Sequence, residues 1–154
     1  MTELALTRSA DDRRRFELVG HGSIRRSGWL ARNAVIRTGD GVERTTKQSP
    51  TGKFASLTEA AGSVVAAYER TRWVDHGGTV TWRGLPYDLA VESHWRHRYL
   101  LSRNGADVLR VTCKGWGKKP AVVEVHDPAI DPGLVLFTTW LAQAFVEMDA
   151  GAGA

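Results

Sequence analysis

Tryptophan and basic residues stand side by side at four places in this sequence. The stretches are Arg72-Trp73, Trp82-Arg83, Trp95-Arg96-His97-Arg98-Tyr99 and Trp116-Gly117-Lys118-Lys119. Aromatic rings beside cations are typical of surfaces that bind anionic head groups or a nucleic-acid backbone. Each pair also has a structural interpretation, in which the ring fills a core and the arginine stem covers the outer wall. For any single pair the structural interpretation is the more common one.

One group of cations falls within neighbouring predicted hairpins and is our predicted anion- or lipid-binding site. Its members are Arg96, Arg98, Lys114, Lys118 and Lys119. The net charge of +4 adds little, because the excess is spread over the whole domain. No basic cluster forms a long run, so an anionic membrane surface is favoured over nucleic acid as the partner.

Other residues that could do chemistry have simpler explanations. His94 and His97 form an H-x-x-H, but a strand or turn is predicted there, and it lacks the helical face that lets two rings meet one zinc. Cys113 alternates with Leu109 and Val111 on a predicted inner face, where a thiol acts as a small hydrophobe. No metal or cofactor is predicted.

Signatures of enzyme sites are also missing from the sequence. It has no G-x-S-x-G elbow, no P-loop and no G-x-G-x-x-G. Four carboxylates could approach one another in a fold, although the sequence gives no reason to pair them: Glu92, Glu124, Asp127 and Asp131. We therefore predict a non-enzymatic protein without catalytic residues.

Length and composition predict one globular domain. A chain of 154 residues, 42% hydrophobic and 25% charged, can bury a sizeable core without disulfides or a structural metal. Its single cysteine excludes an internal disulfide, and the acidic N-terminal segment is unlike a signal or transit peptide. A cytoplasmic protein is expected, with contact to a membrane only at its surface.

Residues 15–127 have the texture of antiparallel β structure. Short segments rich in Val, Thr, Trp and Tyr alternate with glycine turns, of which Asp40-Gly41 and Asn104-Gly105 are the best hairpin signals. Period-two alternation places Val80 with Trp82 on one face, and Ala121, Val123 and Val125 on another. Before this region, Ser9 and Asp12 predict the start of a short helix.

Residues 132–148 predict a helix of another kind. Asp131 supplies an N-cap acceptor before Pro132 at the first helical position, and an apolar run from Leu134 to Val146 follows. Only a narrow stripe is polar, so this helix should be surrounded by protein. The run is too short and interrupted for a membrane span. Residues 149–154 are predicted to form a flexible tail.

An apolar helix needs an apolar wrapper, and the β region is the material available. At about ten residues per strand and turn, residues 15–127 provide roughly eleven strands, enough for a barrel wide enough to hold a helix. We therefore predict a mainly β domain over residues 1–148, a closed antiparallel barrel of about twelve strands enclosing the C-terminal helix. The alternative is an open sheet or sandwich with the helix on one side.

Several of these stretches together resemble an actinobacterial branch of the tubby C-terminal-like superfamily, near the LURP-one-related and phospholipid-scramblase-like families. The residues that carry the resemblance are Trp82-Arg83-Gly84, Tyr87-Asp88-Leu89, Trp95 to Tyr99, Gly115 to Lys119 and Asp131 to Leu134. The resemblance spans about residues 53–148, and the first fifty residues match loosely.

That resemblance implies a roughly twelve-stranded barrel around a hydrophobic helix, and head-group binding or membrane association as functions. No lysine or arginine of this chain matches a phosphoinositide site individually. The acidic calcium-binding segment of a scramblase is not found, so scrambling is not expected.

Two functions from different classes follow from the sequence. The first is a binding module that contacts anionic phospholipid or another polyanion through the predicted basic patch. The second is a small-molecule binder or enzyme whose pocket opens at one end of the barrel.

Overall fold

A computed structural model describes residues 1–27, 33–114 and 118–152, and places twelve strands before one helix. The elements are β1 (Thr2–Arg8), β2 (Arg15–Leu18), β3 (Gly22–Arg26), β4 (Ala34–Thr38), β5 (Glu43–Gln48), β6 (Phe54–Glu59), β7 (Val64–Arg70), β8 (Gly78–Trp82), β9 (Leu85–Ser93), β10 (Arg98–Arg103), β11 (Ala106–Cys113), β12 (Ala121–Val125) and α1 (Pro132–Ala152).

The strands form a closed up-and-down barrel. Each strand pairs antiparallel with its neighbours in sequence, and β1 pairs with β12 to close the ring, with Leu4 opposite Val123. Closure removes every free sheet edge. The predicted barrel is confirmed, and the open-sheet alternative is wrong.

The best hairpin signals of the sequence occur at turns whose backbone has positive φ angles. Between β10 and β11, Asn104 and Gly105 both have positive φ, 52° and 78°, as a tight two-residue hairpin requires. Gly41 between β4 and β5 has a φ of 86°. The faces of the second half also agree, because Val80, Trp82, Val111 and Val123 are all buried.

The first strand corrects the sequence analysis. Residues 2–8 are β1, whereas strands were predicted to begin near Arg15. Ser9 and Asp12 form a turn in place of the predicted helix start: the Ser9 hydroxyl donates to Asp11, and Asp12 Oδ1 accepts a bond from the Arg14 amide at 2.9 Å. Residues 2–8 form a strand because Leu4 and Leu6 alternate with polar or small residues, and because this segment pairs antiparallel with β12.

The helix occupies the inside of the barrel. Every residue from Leu134 to Ala142 is at most 3% exposed, so more than two full turns are covered on all faces. The helix contacts β3, β4, β10, β11 and β12. Within the described residues, no helix has both the length and the hydropathy that crossing a bilayer requires.

The helix begins as the sequence predicts. Asp131 Oδ1 accepts a hydrogen bond from the Gly133 amide at 2.9 Å, and the Asp131 carbonyl accepts from the Leu134 amide at 3.0 Å. Gly133 allows the close approach of β8, since a Cβ there would lie 2.5 Å from the Trp82 ring. The helix is thereby positioned as it enters the barrel.

The other end of the helix is tied by polar contacts. Arg26 Nη1 lies 2.7 Å from Glu147 Oε1, and His76 Nε2 lies 2.7 Å from Asp149 Oδ1. The helix therefore continues through Ala152, past the predicted end at residue 148. Of the predicted flexible tail, residues 149–152 belong to the helix, and residues 153–154 lie outside the described part of the chain.

We expect Trp140→Ala to lower the free energy of unfolding by roughly 3–5 kcal/mol, because its removal leaves a cavity inside a closed barrel. Trp140 is 3% exposed. Urea denaturation followed by circular dichroism measures the loss. Trp73→Ala is the matched control: that ring is 98% exposed, and its loss should change stability by less than about 0.5 kcal/mol. A cost below about 1 kcal/mol for Trp140→Ala would contradict the central position of the helix.

Candidate functional site

The loops of an up-and-down barrel alternate between its two ends. The loops at the end where α1 finishes lie between β1 and β2, β3 and β4, β5 and β6, β7 and β8, β9 and β10, and β11 and β12. We call their described residues the basic rim: 9–14, 27, 33, 49–53, 71–77, 94–97, 114 and 118–120. The lysines and arginines of the basic rim are Arg13, Arg14, Lys53, Arg72, Arg96, Lys114, Lys118 and Lys119.

The opposite rim has the other sign of charge. It consists of the loops at residues 19–21, 39–42, 60–63, 83–84, 104–105 and 126–131. Its charged loop residues are Asp40, Asp127, Asp131 and Arg83. The barrel is therefore electrically polar along its axis, although its net charge is small.

The carboxylates of the basic rim loops and of the nearby helix end each lie beside an arginine or a histidine. A hydrogen bond from Ser9, aided by Arg15, lowers the pKa of Asp11, and the Arg14 amide together with Arg25 lowers the pKa of Asp12. The pairs are Arg15–Asp11 at 2.9 Å, Arg25–Asp12 at 2.9 Å, Arg72–Asp75 at 3.2 Å, Arg26–Glu147 at 2.7 Å and His76–Asp149 at 2.7 Å. Each of these carboxylates therefore already has a partner within the protein.

Most rim cations have no such partner. Within the part of the chain that the structure describes, no ion pair involves Arg13, Arg14, Lys53, Arg96, Lys114, Lys118 or Lys119, and all of them are exposed. Uncompensated charges on one end of a barrel attract anions to that end. The basic rim is our candidate site.

Four of the five predicted site residues belong to this rim. Arg96, Lys114, Lys118 and Lys119 are exposed in two adjacent loops. Backbone hydrogen bonds fix these loops: the Cys113 amide donates to the His97 carbonyl at 3.0 Å, and the Lys114 amide donates to the Pro120 carbonyl at 2.8 Å.

Arg98 differs from the other four predicted residues. It lies half-buried on the outer wall, where its Nε donates to Thr112 Oγ1 at 3.3 Å and its Nη1 lies 3.9 Å from Glu92. Arg98 is therefore already partnered at the base of the rim.

Sequence reasoning left Arg13, Arg14 and Lys53 out of the site. The signal that could have found them is topological: in an up-and-down barrel every second loop lies at the same end. That rule needs the first strand, and β1 was not predicted.

The tryptophan pairs divide between the two interpretations. Trp82 is 4% exposed and Arg83 stacks on its ring at 5.6 Å, which is the structural arrangement. Trp73 and Trp95 are almost fully exposed on the basic rim. Trp116 lies outside the described residues.

The candidate nucleophile and carboxylates are in structural positions. Cys113 is 5% exposed, and burial raises the pKa of its thiol to about 12. Glu92 and Glu124 lie 3.0 Å and 3.6 Å from Arg110, and the hydrogen bond that Arg110 donates to Glu92 raises the pKa of that guanidinium. This cluster is a salt-bridge network on the outer wall.

The histidines are equally dispersed. His94 is exposed and His97 half-buried in the turn between β9 and β10. In residues 1–27, 33–114 and 118–152, no three His, Cys, Asp or Glu side chains converge as a metal site requires. His76 instead stacks on Phe145, with ring centroids 4.4 Å apart.

Space inside the barrel is small where the helix meets β3. The gap lined by Ile24, Arg26 and Trp140 measures about 10 Å³, roughly the volume that one water molecule needs. Larger depressions are open to solvent: about 480 Å³ beside Tyr87 and Arg103, and about 450 Å³ beside Lys53 and Trp73.

Comparison with known proteins adds no relative. The chain matches no protein-family model, no curated protein and no solved structure at a significant level.

We expect Cys113 to be unreactive toward alkylating reagents in the folded protein. With a pKa raised to about 12, roughly one thiol in ten thousand is ionised at pH 8, and the sulfur is also sterically covered. Iodoacetamide labelling followed by mass spectrometry, with and without urea, measures this. Labelling of the native protein as fast as in urea would contradict a core position for Cys113.

Proposed function

We propose that this chain is a non-enzymatic binding module that contacts anionic phospholipid at a membrane surface through the basic rim. The observation that carries the proposal is the charge distribution of that rim. Its carboxylates are paired with arginine or histidine, whereas seven exposed lysines and arginines have no ion pair within the described residues. The helix fills the interior, so the outside is the surface left for a large partner.

Electrostatics gives the proposal a magnitude. A lysine or arginine close to an anionic leaflet contributes about 1 kcal/mol, and the attraction fades within a Debye length. Several cations on one rim can approach a flat surface together, because they lie on the end of a cylinder. Cations spread over its side wall could not do so.

A relation to the tubby C-terminal-like superfamily is part of the same proposal. A closed twelve-stranded barrel around a C-terminal helix is what the resemblance implies, and this agreement of architecture supports it. Peripheral attachment at the cytoplasmic face of a membrane is the matching location, because that leaflet is anionic.

A pocket-based function has less support. The depression beside Tyr87 on the opposite rim has side chains that are already engaged: Arg103 stacks on Tyr87 at 5.7 Å, and Arg110 reaches His126 at 3.4 Å. Nothing in this arrangement resembles an activated nucleophile and its base.

We expect Lys118→Ala/Lys119→Ala to weaken binding to vesicles of phosphatidylcholine and phosphatidylglycerol by about thirtyfold, since two cations at about 1 kcal/mol each are lost. Co-sedimentation measures the effect, and wild-type binding should fall as salt is raised. Both side chains are exposed, so folding should be unaffected.

The matched control is Arg37→Ala/Arg83→Ala, which removes two exposed positive charges at the opposite end of the barrel. This variant should bind the vesicles like the wild type. Equal binding of the wild type to pure phosphatidylcholine, or an equal loss in both variants, would refute the basic rim as the contact surface.

A further inference from the structure

Two tryptophans on the basic rim are displayed to solvent almost completely. Trp73 is 98% exposed and Trp95 is 96% exposed, whereas Trp82 and Trp140 are 4% and 3% exposed. Trp29 and Trp116 lie outside the described residues. An indole ring is a large apolar group that is normally buried in a fold, so rings exposed on an ordered loop indicate a surface that contacts a partner.

The loop that displays Trp73 is ordered by its own hydrogen bonds. Arg70 Nε donates to the Arg72 carbonyl at 2.9 Å, and Arg70 Nη2 donates to the Trp73 carbonyl at 3.0 Å. Asp75 Oδ1 accepts from the Gly77 amide at 2.7 Å and pairs with Arg72. The backbone is thereby fixed with the Trp73 ring outside, beside Val74, which is 78% exposed.

Trp95 is presented in a similar way by the neighbouring loop. The His97 amide donates to the His94 carbonyl at 3.4 Å, and the Arg96 amide donates to Ser93 Oγ at 3.2 Å. Because β8 and β9 are adjacent, the loops of Trp73 and Trp95 are neighbours around the rim, and the loop with Lys114 and Lys118 follows. The exposed rings and the unpaired cations therefore share one end of the barrel.

Exposed apolar side chains alone do not distinguish the basic rim from the opposite rim. Val19 and Leu85 are exposed at that end at 78% and 42%, but their side chains are aliphatic, and the charged loop residues of that rim are mainly acidic. Tryptophan, with an apolar body and a polar edge, is the residue that favours the boundary between head groups and acyl chains. Among the described residues, only the basic rim combines exposed indole rings with cations, since Trp82 at the other end is buried under Arg83.

We infer that Trp73, Val74 and Trp95 insert into the interfacial layer of an anionic bilayer, so that the barrel docks end-on. This inference rests on the proposed function and specifies how that contact is made. The cations beside the rings, Arg96 and Lys53 among them, lie at the level of the lipid phosphates. The depression of about 450 Å³ between Lys53, Arg70, Arg72 and Trp73 gives one head group a place to sit.

The test compares Trp73→Ala/Trp95→Ala with wild type on two probes: vesicles of phosphatidylcholine and phosphatidylglycerol, and immobilised heparin as a polyanion without a bilayer. We expect affinity for the vesicles to fall more than about tenfold, because apolar contact with the bilayer is lost, while elution from heparin is unchanged. Brominated lipids should quench tryptophan emission of the wild type and quench it much less in the variant.

Two further variants serve as controls. Val19→Ala/Leu85→Ala removes exposed apolar side chains from the opposite rim and should bind the vesicles like wild type. Lys118→Ala/Lys119→Ala should lose affinity for vesicles and for heparin alike, because it removes charge that both probes sense.

The outcomes separate this inference from the proposed function. If the tryptophan variant binds vesicles like wild type and no quenching occurs, insertion is wrong and the electrostatic contact stands. If the wild type ignores anionic vesicles altogether, the proposed function is wrong. An equal loss on vesicles, heparin and a single-stranded oligonucleotide would assign the rings to stacking on a soluble polyanion and overturn the inference.

Discussion

A helix that is apolar on every face cannot lie against a single sheet, and the rest of this molecule follows from that constraint. Residues from Leu134 to Ala142 are buried all round, and only a closed wall can cover all of their faces at once. The wall has twelve strands, and a barrel of about eight would already be filled by its own side chains. The pairing of β1 with β12 closes this wall. The helix therefore depends on that pairing to be covered, and the barrel depends on the helix to fill its core.

Because α1 occupies the interior, the two ends and the outer wall of the barrel are the surfaces that face solvent. A barrel of this size without the helix could hold a ligand, but here α1 fills the interior. At Gly133 the helix lies so close to the Trp82 ring that a Cβ would be 2.5 Å from it. The loops lie at the two ends, and the up-and-down order sorts them into two rims of opposite charge. The carboxylates at the end of the helix already have partners, Arg26 for Glu147 and His76 for Asp149, whereas the lysines of the basic rim have no ion pair among the described residues.

The sequence predicted what periodicity and turn chemistry control. Alternation in β8 and β12, positive φ at Asn104 and Gly105, and the Asp131 cap all agree with the structure. It did not predict β1, because the first fifteen residues are mostly polar, and Ser9 and Asp12 after the strand also match a helix start. Four of the five site residues reach one rim, but the rest of that rim depends on which loops share an end. Which end a loop lies at depends on how many strands precede it, and no local sequence pattern gives that number.

The order of the elements along the chain has a consequence for how this molecule folds. The segment at the centre, α1, is the one that follows all twelve strands, and the seam joins β1 to β12 across nearly the whole β region. The closing pair and the packing of the helix both join segments that lie far apart in sequence, and such contacts cost the most loop-closure entropy, so we expect this chain to fold slowly for its size.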